Sequence, residues 1–176
     1  MSTSIKTLTF LLAIFLSACS TVVVQDYIHE PTQNLRQSII YSGHTELDGI
    51  DENKFVIVPN FRTFTQSFSA NRAVLIIVSD VQTSITFSSA SLTNKDTGEV
   101  QSIELNEEYL VSKPVPETGY FLGFVSIFDH TYEGYEKFNS ASELELEITY
   151  TISGGRPKTE SLLLKLITKK EVAWVA

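Results

Sequence analysis

Cysteine is almost absent from the chain: Cys19 stands alone among 176 residues. No internal disulfide can form, so the fold has to rely on its core. Basic residues are also in deficit, with 13 Lys and Arg against 21 Asp and Glu and a net charge of −8. That balance disfavours nucleic acid as a partner, because phosphate-backbone binding relies on clusters of Lys and Arg. It equally disfavours a peripheral electrostatic grip on anionic lipid headgroups. Histidine is sparse, and His29, His44 and His130 lack the close spacing of zinc ligands on one element. Neither a metal nor another cofactor is expected. There is no Gly-x-Ser-x-Gly elbow and no ordered nucleophile, base and orienting acid, so no catalytic residue is assigned and the chain is not read as an enzyme. A membrane-spanning run is missing too. The apolar stretch Leu8 to Ala18 reaches only about 16 Å as a helix at ~1.5 Å per residue, roughly half of a ~30 Å hydrocarbon core.

What that stretch does carry is a leader pattern. Lys6 and the amino terminus supply positive charge, the apolar segment follows, and small residues lead up to Cys19. The sequence Leu16-Ser17-Ala18-Cys19 resembles the lipobox of bacterial lipoproteins. The resemblance covers the first two dozen residues. It implies cleavage between Ala18 and Cys19, diacylglycerol on the Cys19 sulfur and usually a further acyl chain on the new amino group. A thiolate is the nucleophile such an attachment needs. Two or more acyl chains hold a protein stably, at ~0.8 kcal/mol per buried CH₂, where one is marginal. The competing reading is an ordinary cleaved secretory peptide that leaves a free thiol. Among such lipoproteins an Asp directly after the cysteine favours inner-membrane retention; here it is Ser20, so the resemblance implies an outer-membrane site facing the periplasm.

Residues 1–18 are thus read as the leader, 19–37 as a lipidated amino terminus and polar tether, and 38–176 as a single domain. Losing Lys6 leaves 12 basic against 21 acidic residues, so the mature charge is −9. Within the tether, Val22 to Val24 form a β-prone run that alternatively adds a strand at a sheet edge. Beyond it, short β-prone runs are separated by turn compositions such as Asp48-Gly49, Pro59-Asn60, Asn94 to Gly98 and Ser153 to Pro157, and no helical periodicity is sustained. Strands are expected over 38–47, 54–58, 61–69, 73–79, 84–92, 99–105, 120–128, 142–152 and 159–168. Leu144, Leu146, Ile148, Tyr150 and Ile152 alternate with Glu143, Glu145, Glu147, Thr149 and Thr151, which gives one core face and one wet face. Lys158 and Lys165 on the following strand are expected to pair with the glutamate row. Ala73 to Val78 is apolar on both faces, as a central strand covered on two sides would be, and Tyr120 to Phe128 is similar. The pattern indicates an all-β fold, an immunoglobulin-like antiparallel β-sandwich, with a small closed β-barrel as the alternative. No lipocalin-type Gly-x-Trp is present. Trp174, the only tryptophan, is expected at the sandwich edge.

Beyond Cys19, the most suggestive segment runs from Asp129 to Phe138, where aromatic and acidic residues alternate. Read as an exposed loop, it offers Asp129, His130, Tyr132 and Tyr135 to an envelope protein partner. Read blandly, Tyr132, Tyr135 and Phe138 fold back onto the core. Asp48, Asp51 and Glu52 with Asn53 group oxygen ligands but lack the spaced pattern of calcium loops, and a solvated turn explains them better. Glu104, Glu107 and Glu108 read as a polar loop or one helical turn. Of Phe61, Phe64 and Phe68, most are expected in the core. The expectation for the whole is a lipid-anchored envelope protein that binds or scaffolds. The alternative is a small-ligand carrier or enzyme whose site lies in a cleft or barrel mouth and uses groups such as His130 with Asp129.

Overall fold

A computed structural model describes residues 19–41, 55–64, 72–103, 105, 108–127, 138 and 141–174. Strand β1 (Cys19–Ile28) leads through a helical turn (Glu30–Thr32) into the one α-helix among the described residues, α1 (Gln33–Tyr41). Then come β2 (Phe55–Phe64), β3 (Arg72–Ser79), β4 (Thr83–Asn94), β5 (Val100–Ile103) and β6 (Glu108–Val111). The last four strands are β7 (Lys113–Pro114), β8 (Phe121–Ser126), β9 (Glu143–Ile152) and β10 (Lys158–Trp174). The strands form one antiparallel sheet in the order β5-β4-β9-β10-β1-β2-β3-β8-β7, and β6 also pairs with β4. This is an all-β sandwich whose hydrogen-bonded path stays open, so the closed-barrel alternative does not apply.

Inner faces from both halves of that order meet in one core built on Tyr27, Phe61, Leu75, Ile77, Phe87, Leu92, Val125, Leu144, Leu146 and Tyr150. Strand β9 carries the alternation read from its sequence, since Leu144, Leu146, Ile148 and Tyr150 are buried while Glu147 is exposed. Strand β3 is covered on both faces. Leu75 and Ile77 enter the main core, whereas Ile76 and Val78 enter a second cluster with Leu35 and Ile39 of α1, Val58, Val115 and Leu122. In β8 the cover is partial: Leu122 and Val125 are buried, but Phe124 is 49% exposed, with the Lys113 ammonium 5.5 Å above its ring. Gly123 allows β8 to approach β6, because a Cβ there would stand 3.1 Å from the Leu110 carbonyl oxygen and 3.0 Å from Val111.

Four expectations need correction. The polar tether over 19–37 is instead β1, the turn and α1, with β1 lying inside the sheet between β10 and β2. The strand expected from Ser38 begins as the end of α1, whose Leu35 and Ile39 sit one turn apart on the buried face. Pro59 does not separate two strands, because β2 runs through it in register with Leu75; it falls just past Phe61, where β1 stops pairing and a missing N–H is tolerated. Finally, Glu108 opens β6 and is neither loop nor helix.

The expected charge pairing also takes a different form. Lys158 is in register with Tyr150, and Lys165, although in register with Glu143, bonds Glu30 at 3.1 Å. Glu145 of the glutamate row is met by Lys95 at 2.8 Å from the β4–β5 turn.

Candidate functional sites

Cys19 is the first residue of β1 and stands in register with Trp174 of β10. The loop candidates Asp129, His130, Tyr132 and Tyr135 lie outside the described residues, as do His44, Asp48 to Asn53, Phe68, Glu104 and Glu107. Their setting can nevertheless be built from the residues on either side.

Ile127, the residue before that loop, is buried and donates its N–H to the Ala73 carbonyl at 2.9 Å. Ala73 is in register with Phe61, and Phe61 with Tyr27, so one row across the sheet runs from the loop's beginning to β1. Phe138, at the other end, is fully buried in the main core, which settles the bland reading for that residue. Its carbonyl accepts a hydrogen bond from the Tyr27 hydroxyl at 2.5 Å, and the Ala141 carbonyl accepts from the same hydroxyl at 3.0 Å. Next along, the Ser142 N–H and hydroxyl donate to the Asp96 carboxylate at 2.6 and 2.5 Å. Asp96 is held in turn because the Asn94 side chain accepts its N–H at 2.9 Å. Both ends of the segment 128–137 are therefore fastened at one end of the body, where β3 and β9 begin and β4 and β8 finish.

A second polar centre lies on the outer face of β1 and β2, beneath α1. Arg36 of α1 donates from Nη2 to Asp26 Oδ1 at 2.5 Å, and from Nε and Nη2 to Asn60 Oδ1 at 3.1 and 2.9 Å. Lys169 of β10 approaches the other oxygen of Asp26 at 3.6 Å. Asp26 and Arg36 are only 5% and 7% exposed, so this pair fastens the helix to the sheet. His29 is structural as well: its Nδ1 lies 2.9 Å from the Thr32 hydroxyl, and burial lowers its pKa. Among the described residues, no three His, Cys, Asp or Glu side chains are grouped to hold a metal ion.

The fastened tyrosines give the fold an alkaline limit. Burial, and then the negative Asp96, raise the Tyr27 hydroxyl well above the ordinary phenol range. Burial and then Glu160, which accepts the Tyr150 hydrogen bond, do the same to Tyr150. Both groups therefore contribute stability that is complete below about pH 10, the unfolded tyrosine value, and is lost as pH rises through it. Urea midpoints taken at about pH 8 and about pH 11 are expected to fall steeply for the native chain and less for the Tyr27→Phe/Tyr150→Phe variant, each relative to its own neutral value. Asp96 and Glu145 act at the other end of the scale. Ser142 holds the first and Lys95 the second below the usual carboxylate range, so their contribution is present above about pH 4 and fades as pH falls.

Comparison with protein-family models, with curated proteins and with solved structures finds no match for the chain.

Proposed function

We propose that the chain is a bacterial envelope lipoprotein, held by acyl chains on Cys19, whose β-sandwich serves as a binding or scaffolding module. The observation that carries the reading is Leu16-Ser17-Ala18-Cys19 behind a short apolar run and Lys6. Ser20 favours the outer membrane over retention at the inner one, with the domain in the periplasm. Metabolic labelling with an alkyne fatty acid tests the anchor: label is expected on the native chain and absent from Cys19→Ala expressed to the same level.

Binding is favoured over ligand carriage because the interior is occupied by large side chains, among them Tyr27, Phe61, Phe87, Phe138 and Tyr150. The partner surface we assign is the loop carrying Asp129, His130, Tyr132 and Tyr135, for an envelope protein partner. The residues that flank it, Ile127 and Phe138, are tied to the row of Tyr27, eight residues or about 26 Å along β1 from Cys19 at ~3.3 Å per residue. A partner resting on or in the same membrane is within reach of such a site. Crosslinked envelopes are expected to lose the partner when Tyr132 and Tyr135 are replaced by alanine; unchanged capture by a folded variant removes the loop from the proposal.

A further inference from the structure

The sheet order ends in two margins, β7 and β5, and the sequence blunts only one of them. In an antiparallel ladder, residues bonded to the neighbouring strand alternate with residues whose N–H and C=O point the other way. Val115 donates its N–H to the Tyr120 carbonyl at 2.8 Å, so Lys113 also faces β8, and Pro114 between them points to the open side. A proline there has no N–H to offer, which is how edge strands are commonly closed to further pairing. At the β5 margin the alternation falls differently. The Glu99 carbonyl accepts the Asn94 N–H at 2.8 Å, so Gln101 and Ile103 face β4, opposite Leu92 and Ala90. Val100 and Ser102 therefore turn their N–H and C=O groups outward. Among the described residues no strand pairs with that side of β5, and Val100 is 60% exposed.

We propose that the outer edge of β5 is a strand-addition site, which takes an extended, lysine- or arginine-bearing segment of a partner protein. Val100 and Ser102 each supply a donor and an acceptor, and such main-chain bonds give strand addition its affinity. The edge is four residues long, about 13 Å at ~3.3 Å per residue, so it takes a short segment. Farther along the same side of β4, β6 is approached by β8 at Gly123, which leaves β5 as the open stretch. Charge decides the occupant. Glu99 precedes β5 and Glu108 opens β6, both exposed, in a chain of net charge −8. A second copy brings the same acidic margin and net charge against itself, whereas a basic segment is attracted. The site is separate from the loop 128–137 and from the anchor, so the failure of either leaves it standing.

Hydrogen exchange read by NMR in the full-length protein, held in mild detergent, tests the proposal. Two synthetic peptides serve as probes, Lys-Val-Thr-Val-Thr-Val-Lys and the same sequence with glutamate at both ends. In the free protein the Val100 and Ser102 amides are expected to exchange fast, and those of Gln101 and Ile103 slowly. Saturating lysine peptide is expected to slow Val100 and Ser102 by about tenfold or more, and the glutamate peptide to bind several-fold more weakly. Ser102→Pro removes an outward N–H and no ladder bond, so it is expected to fold and to bind about tenfold more weakly. A lysine peptide methylated on every inner amide is expected not to bind the native chain, a test that does not depend on the variant folding. Slow exchange at Val100 and Ser102 in the free protein overturns the proposal, because the edge is then already covered; where that protection rises with protein concentration, the cover is a second copy. Equal binding of the two peptides, or unchanged exchange at Val100 and Ser102 in millimolar peptide, also overturns it.

Discussion

Asp26→Ala is expected to lower the unfolding free energy by about 3–5 kcal/mol, the usual cost of removing one partner from a buried ion pair. The reason is the charge it strands. Arg36 keeps its two hydrogen bonds to Asn60, but its guanidinium is left beneath α1 with no anion in contact. Arg36→Met is expected to cost less than Asp26→Ala, because Lys169 remains 3.6 Å from the carboxylate and is 41% exposed, free to move closer. Joining the two ends with apolar groups, as in Asp26→Leu/Arg36→Met, is expected to recover much of the loss, since a buried pair and well-packed hydrophobes of similar volume are often nearly equivalent. Urea denaturation of Asp26→Leu, Arg36→Met and the double variant that combines them measures the coupling directly. A loss below about 1 kcal/mol for Asp26→Ala contradicts the geometry, because it is the size expected of a solvated pair.

Tyr27 is expected to give the other large effect, and to give it in two separable parts. Tyr27→Phe keeps the ring in the core and removes the hydroxyl, leaving the Phe138 and Ala141 carbonyls without their shared donor. Its expected cost is about 1–3 kcal/mol. Tyr27→Ala adds a cavity in the main core, where the ring is fully buried, and is expected to cost about 3–5 kcal/mol. The first part should also be local. The Ser142 carbonyl accepts the Leu166 N–H at 2.9 Å, so Tyr27→Phe is expected to speed hydrogen exchange at Leu166 and Ala141 more than at Ile77 or Val125 across the sheet. Uniform exchange across these sites would show that the hydroxyl stabilises the whole fold without fastening the loop's end.

These two centres also explain which parts of the fold were legible in the sequence. Strand β9 was legible because its partner on one face is water, so alternation is written into its own residues. Strand β3 was legible for the opposite reason, since apolar residues on both faces announce two layers of cover. Strand β1 was legible only as the alternative offered by Val22 to Val24, because Gln25 and Asp26 give the rest of it the composition of a linker. Asp26 can be buried only because Arg36, ten residues on, folds back over it, and periodicity within a strand carries no sign of a partner outside it. The same fold-back hid α1, a helix of nine residues whose signal is limited to Leu35, Arg36 and Ile39 after a Glu30-Pro31 start. Its stability comes from Val58, Ile76 and Val78 beneath it, a tertiary contribution with no local signature. In the candidate loop, burial of Phe138 was one of the two readings its sequence offered, but its link to Tyr27 was unreadable, since 111 residues separate the two.

The anchor is read from four residues and their surroundings, and one mass measurement tests it most directly. Protein is taken from salt-washed membranes, digested, and its amino-terminal peptide weighed. The account predicts that the mature chain starts at Cys19 and carries the added mass of diacylglycerol, with or without a further acyl group. A start at another residue, or a free thiol at position 19 in protein that the wash releases, contradicts it.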